Sequence, residues 1–134
     1  MIIVDSSVWI DYFRGAAAPT TAKLDSILGI EAVGTGDLIM TEVLQGFRSD
    51  SAFKDALDVL CSTYVLELGG QRLALRAARH YRKLRRIGIT PRKTIDTIIA
   101  PYCIDRGYSL LYSDRDFAPF VSHLGLRSAM SAVL

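Results

Sequence analysis

The chain has 134 residues, half of them apolar, and a net charge of only +2. That length suits one domain, residues 1–134, with a real core, and that composition argues against disorder. The longest apolar run, residues 98–104, contains Pro101 and is far too short for a membrane span. Asp5 and Asp11 interrupt the only N-terminal apolar stretch and no basic residue precedes it, so no signal peptide is expected and the cytoplasm is the expected location.

In chain order, Ile2 to Val4 read as a short continuous apolar strand. Residues 7–14 read as a helix with Val8, Ile10, Tyr12 and Phe13 on its apolar side, and residues 15–19 break it. Thr20 or Thr21 can cap the next helix, which carries Ala22, Leu24, Ile27 and Leu28. A short strand is expected at residues 32–35, then a helix over 36–46. Ser51 can cap a further helix with Phe53, Leu57 and Leu60 on its inner side, followed by a strand at 64–68.

Residues 71–87 carry the clearest helical pattern. Ala74, Ala77, Ala78, Tyr81 and Leu84 share one face, and Arg72, Arg76, Arg79, Lys83 and Arg86 follow the opposite one, with Arg85 turned toward the apolar side. Gly88 ends the helix and Pro91 marks a turn. Residues 94–106 read as helix closed by Gly107, with a bend expected at Pro101, which removes one backbone bond. A strand at 109–112 and a last helix at 116–124, punctuated by Pro119, complete the pattern. Strands separated by helices predict an α/β domain with a mostly parallel sheet.

In such a sheet, ligands bind at the carboxyl ends of the strands. Asp5 directly follows the first strand and Asp114 follows the strand at 109–112. Asp96 sits in the first turn of its helix and Glu42 in the first half of the helix after the second strand, which brings both to the same edge. Asp116, two residues beyond Asp114, can join them, whereas Asp105 falls half a helical rotation from Asp96 and reads as surface. Converging carboxylates repel one another, and a hard divalent cation such as Mg²⁺ or Mn²⁺ offsets that repulsion.

Each acid also has a plainer reading. Asp5 can cap the helix that follows, as can Ser6 and Ser7. Asp96 can complement a helix dipole, Glu42 can lie on a solvated face, and Asp114 and Asp116 can be turn residues. The functional case therefore rests on convergence. Cys61 and Cys103 are far apart and read as reduced core thiols, and His80 and His123 are isolated, so a metal here needs oxygen ligands. Nine of the sixteen Lys and Arg residues fall between Leu68 and Ile95, a stretch with no acid. A one-sign face of this kind favours nucleic acid over plain solvation, with phosphate contacts that carry no base specificity.

The segments MIIVDSSVWIDYF, TEVLQGF, TPRKTIDTIIA and LLYSDRDF together resemble the PIN-domain nucleases, and most closely the VapC toxins of bacterial toxin–antitoxin systems. The resemblance runs from Met1 to about Phe120. It implies a three-layer α/β domain, its central parallel sheet flanked by helices on both faces, and an endoribonuclease dependent on Mg²⁺ or Mn²⁺. Its metal acids map onto Asp5, Glu42, Asp96 and Asp114, with Asp116 as an auxiliary, Ser7 orienting the pocket and Arg115 near substrate. Hydrolysis would leave a 5′-phosphate and a 3′-hydroxyl. The resemblance also implies a homodimer and a cognate antitoxin lying in a groove near residues 9–13 and 43–53, with Trp9 read first as core. Two other classes compete: a receiver-like or phosphatase-like domain that uses Asp5 as nucleophile, and a non-catalytic module binding RNA or antitoxin. A receiver needs an acidic pair after the first strand and a late lysine. This chain has one acid there and no lysine after Lys93.

Overall fold

The computed structural model describes residues 1–130 and leaves the last four residues of the expected domain outside its range. In chain order it holds β1 (Ile2–Val4), α1 (Ser6–Phe13), α2 (Pro19–Ile27), β2 (Val33–Gly36), α3 (Asp37–Leu44) and α4 (Asp50–Cys61). Then follow β3 (Tyr64–Leu66), α5 (Gln71–Arg86), α6 (Thr94–Arg106), β4 (Ser109–Leu111), a 3-10 turn at Arg115–Phe117, α7 (Ala118–Leu124) and β5 (Arg127–Ser128). The strand order is β3-β2-β1-β4-β5 and every pairing is parallel.

β1 is the centre of the sheet, and Ile3 and Val4 are fully buried because helices cover both faces. The chain first steps outward from β1 to β2 and β3, then crosses back to β4 and β5 on the other side. Right-handed crossovers in opposite directions place their helices on opposite faces. Accordingly α1 packs on α2 and α3, while α5 packs on α6 and α7. The reversal puts β1 beside β4, with Ile3 paired to Leu110 and Val4 to Leu111. A crevice therefore opens where the chain leaves those two carboxyl ends. Gly34 and Gly36 let side chains lie flat on β2: a Cβ at Gly34 would sit 2.6 Å from Ile3 Cδ1, and one at Gly36 2.4 Å from Leu68 Cδ1.

Several expected boundaries move, each for a local reason. Pro19 opens α2 instead of breaking the chain before it, since the first helical turn needs no amide there. Thr21, from inside that turn, accepts the Ala18 amide at 3.0 Å. Ser49, not Ser51, caps α4, accepting the Ala52 amide at 3.0 Å. The inner side of α4 is then Ala56 and Leu60, and Phe53 stays 39% exposed. Pro119 sits in the first turn of α7, where no amide is needed, and Asp116 lies in the 3-10 turn ahead of it. β3 and β4 stop at Leu66 and Leu111, and the two-residue β5 was not expected at all.

The buried face of α5 is rotated from the expected one. Leu73, Ala77 and Leu84 enter the core, while Ala74 and Ala78 remain exposed. α6 runs unbroken through the buried Pro101 to Gly107, which closes it in the left-handed conformation (φ 68°). Trp9 is wholly buried, as a core tryptophan should be, and so is Cys103, but Cys61 is exposed. Among the described residues no helix is long and apolar enough to cross a membrane.

Candidate active site

Asp5 follows β1 and caps α1, so one residue joins the central strand to a helix N-terminus. Its Oδ2 accepts the Ser7 amide at 3.1 Å and the Ser7 hydroxyl at 2.6 Å. The side chain is buried, and burial pushes its carboxyl above the ordinary range. The Ser7 bonds pull it part of the way back, and the nearby Asp114 charge pushes it up again. Asp5 is thus a helix cap that also stands close enough to Asp114 to feel its charge.

Glu42 points from α3 toward the same place. Burial raises its carboxyl first and the Asp5 charge raises it further, while the Ser6 hydroxyl, 3.2 Å from Oε1, and Lys93 lower it. Asp96, in the first turn of α6, is 4% exposed and is pushed up to about 7. Burial is the main cause, followed by the charge of Asp5, with Lys93 opposing and Asp114 and Asp116 adding to the rise.

Beyond β4, Asp114 caps the 3-10 turn: its Oδ1 accepts the Asp116 amide at 2.9 Å. Burial alone would raise Asp114, but the hydrogen bond from Lys93, the Asp116 amide and the charges of Lys93 and Arg92 hold it below the usual carboxylate range. Lys93 Nζ lies 2.6 Å from Asp114 Oδ2 and Arg92 Nη2 lies 2.9 Å from Asp116 Oδ1. The Ser113 amide donates to Ser7 Oγ at 3.3 Å, which ties this loop to α1.

Among the described residues the tight group at this edge of the sheet is Asp96, Asp114 and Asp116, with Asp5 and then Glu42 beside it and coupled to it by charge. One carboxylate oxygen from each of Asp96, Asp114 and Asp116 lies within 4.8 Å of the other two. Asp96 Oδ2 and Asp116 Oδ2 are buried and have no hydrogen-bond partner among the described residues. Unpartnered buried carboxylate oxygens are costly, and a hard cation with oxygen preference satisfies them. The donor set thus fits a divalent ion. Cys103 stands nearby, but burial first and then Asp5 push its thiol up to about 12, so it is no nucleophile.

Arg115 is exposed between the two loop acids, and its side chain makes no hydrogen bond among the described residues. On α5, Arg72, Arg79, Lys83 and Arg86 are exposed as expected, but Arg76 pairs with Asp105 of α6 and is only half-exposed. Asp105 is on the surface, though paired. Sequence reasoning counted Arg92 and Lys93 among the basic residues without placing them at the acids. Their position just before Asp96 was the available signal.

Residues 2–120 match the family described as PIN domain. The chain belongs to the PIN-domain family. This PIN domain is similar over 131 residues, at 28% identity, to a VapC ribonuclease of Mycobacterium bovis and to ribonuclease VapC11 of Mycobacterium tuberculosis. Each alignment covers 96% of this chain and 98% of the relative. Among solved structures, VapBC2 from Rickettsia felis, bound to a DNA fragment from its promoter, superposes with a TM-score of 0.70 at 13% identity, over 88% of this chain and 92% of that one. FitAcB from Neisseria gonorrhoeae superposes with a TM-score of 0.68 at 18% identity, over 96% of each. These two likenesses establish the shared fold.

Proposed function

We propose that this PIN domain is an endoribonuclease toxin that needs Mg²⁺ or Mn²⁺ and is neutralised by a cognate antitoxin. The observation that carries the reading is the pair of buried, unpartnered oxygens on Asp96 and Asp116, inside a tight group of three acids completed by Asp114. Asp5, Asp96, Asp114 and Asp116 are the residues that would hold the ion, with Glu42 beside Asp5. Bound there, a divalent ion supplies an activated water and neutralises charge on a phosphoryl group.

The chain's own residues do the rest. Ser7 fixes the Asp5 carboxylate and, through Ser113, the loop that carries Asp114. Ser6 orients Glu42. Arg115 and the exposed cations of α5 supply phosphate contacts that align RNA without reading its bases. The relatives' names, VapC ribonuclease and VapBC, support both the RNA substrate and the antitoxin partner. An antitoxin segment fits the aromatic group on α1 and after α3. Phe13 stacks on Trp9 with ring centroids 5.7 Å apart, and its ring meets Phe47 edge-on at 5.8 Å. The rings of Phe13 and Phe47 are half-buried, so one side stays open to a partner. A homodimer is part of the same reading.

The test is cleavage of a mixed cellular RNA pool by the purified protein with Mg²⁺, with Mn²⁺ and with EDTA, beside Asp5→Ala. Cleavage that needs the ion and vanishes in the variant supports the nuclease. Absence of cleavage under every condition overturns it.

A further inference from the structure

Both oxygens of Asp114 are already engaged. Oδ1 accepts the Asp116 amide and Oδ2 accepts the Lys93 ammonium. Asp116 differs, because Arg92 takes only Oδ1 and leaves Oδ2 buried and unpartnered. Asp96 Oδ2 is free in the same sense. An ion entering the cluster therefore finds open oxygens on Asp96 and Asp116 but a cation already on Asp114. At coordination distance from Asp114 Oδ2, a divalent charge would lie within a few ångströms of the ammonium 2.6 Å from that same oxygen. The two cations repel strongly at that separation.

Lys93 is built to yield. It is the residue that precedes α6, its side chain is 56% exposed, and its charge already acts on Asp96 and Glu42 as well as on Asp114. From the Nζ position it holds, a rotation of the long aliphatic stem is enough to leave the carboxylate for solvent or for a phosphate.

We infer that Lys93 is a tethered counter-cation that exchanges partners: it holds Asp114 when no divalent ion is bound, and passes to the phosphodiester of RNA when the ion takes its place. The inference rests on the metal-site reading above. Lys93 then serves as a positioning residue for substrate and as a brake on metal entry. It offsets the charge of Asp114, Asp96 and Glu42 in the ion-free protein, and its release couples loading of the ion to capture of RNA. Arg92 stays on Asp116 Oδ1 throughout, because the free Oδ2 of that residue already serves the ion.

The exchange makes two predictions of opposite sign for one variant. Mn²⁺ affinity is measured by calorimetry on wild type, Lys93→Gln and Lys54→Gln, the last removing an equal charge from α4. RNA affinity is measured by fluorescence anisotropy at saturating Mn²⁺ with an RNA carrying hydrolysis-resistant N3′→P5′ phosphoramidate links, which keep both non-bridging oxygens and their charge. Lys93→Gln should bind Mn²⁺ about tenfold more tightly, given a +1 and a +2 charge at contact distance in a wet site. It should bind the RNA more weakly, whereas Lys54→Gln should leave both unchanged. Lys93→Met is the second variant should the first prove unstable, and melting in EDTA shows which are folded. Unchanged Mn²⁺ affinity, or unchanged RNA affinity once the ion is bound, overturns the exchange alone. Failure of the wild type to bind Mn²⁺ overturns the metal reading and the exchange with it.

Discussion

The Ser7 hydroxyl donates to Asp5 Oδ2 at 2.6 Å and accepts the Ser113 amide at 3.3 Å, so one oxygen joins the two acids' supporting elements. Ser7 lies in the first turn of α1, and Ser113 precedes Asp114. Removing the hydroxyl lets Asp5 rise further, because that bond is what chiefly opposes burial. Ser7→Ala should therefore lose about 1 kcal/mol of stability and shift the acid limb of metal-dependent cleavage to higher pH. Ser7→Thr keeps the hydroxyl and should restore the profile. A pH–rate comparison of the three proteins decides the matter, and an unmoved acid limb in Ser7→Ala would count against the role.

Asp96 governs how the ion-free protein responds to pH. Its folded value is about 7, above the unfolded value of 3.8, so between those points the folded state holds the extra proton. Stability must then fall as pH rises through that window. Asp5 and Glu42 are raised too and add to the fall. Asp114 is lowered, and its contribution is lost only as pH drops below the window. In EDTA, melting temperature should decline from pH 5 to pH 8. Asp96→Asn should flatten much of that slope and stabilise the ion-free protein at pH 8 by about 2 kcal/mol. With Mn²⁺ the trend reverses, since ligation needs ionised carboxylates, and the ion-induced rise in melting temperature should be larger at pH 8 than at pH 5.5. Asp96→Asn should lose most of that rise. A variant that keeps it would show that Asp96 does not hold the ion.

The cap that Asp5 makes on α1 and the metal-holding role proposed for it can be separated by substitution. Asparagine caps a helix about as well as aspartate, and alanine does not. Asp5→Asn should melt near or above the wild type in EDTA, because it also removes a buried charge among acids. Asp5→Ala should melt lower, by about 1 kcal/mol for the lost cap. Both should lose metal-dependent cleavage by about a hundredfold or more. Denaturant melts set beside cleavage rates make the separation visible. Retained cleavage in Asp5→Asn would leave Asp5 with the cap alone.

How much of this site was legible follows from what fixes each residue. Asp5, Asp96 and Asp114 stand at the ends of elements whose direction a parallel sheet dictates, so topology alone carries them to one edge. Glu42 follows from the same rule one turn deeper into its helix. Lys93 and Arg92 did not follow from it. They reach Asp114 and Asp116 from a loop 21 and 24 residues earlier, and no periodicity governs such a pairing. The rotation of α5 was hidden because Ala74 and Ala78 read as apolar yet bury little, whereas the single Leu73 decides the face. Arg76 left the basic face for Asp105 as a result of that rotation. β5 was invisible because two residues carry no pattern, and its place is set by pairing Leu110 with Ser128.

The basic face of α5 should act through salt-dependent, sequence-blind affinity. Arg79, Lys83 and Arg86 are exposed, and no acid among the described residues pairs with them. Each phosphate contact on a single strand contributes about 0.7 to the slope of log affinity against log salt. Replacing all three with glutamine should therefore lower that slope by about 2 and weaken binding alike across unrelated RNA sequences. Arg76→Gln is the informative contrast. Its guanidinium is held by Asp105, so its loss should cost stability through the broken α5–α6 pair and change the salt slope far less. Anisotropy titrations with an uncleavable RNA from 50 to about 300 mM salt measure both slopes, in the range where such electrostatic binding responds most. If the triple variant keeps the wild-type slope, the cations of α5 serve solubility, and RNA reaches the acids by another path.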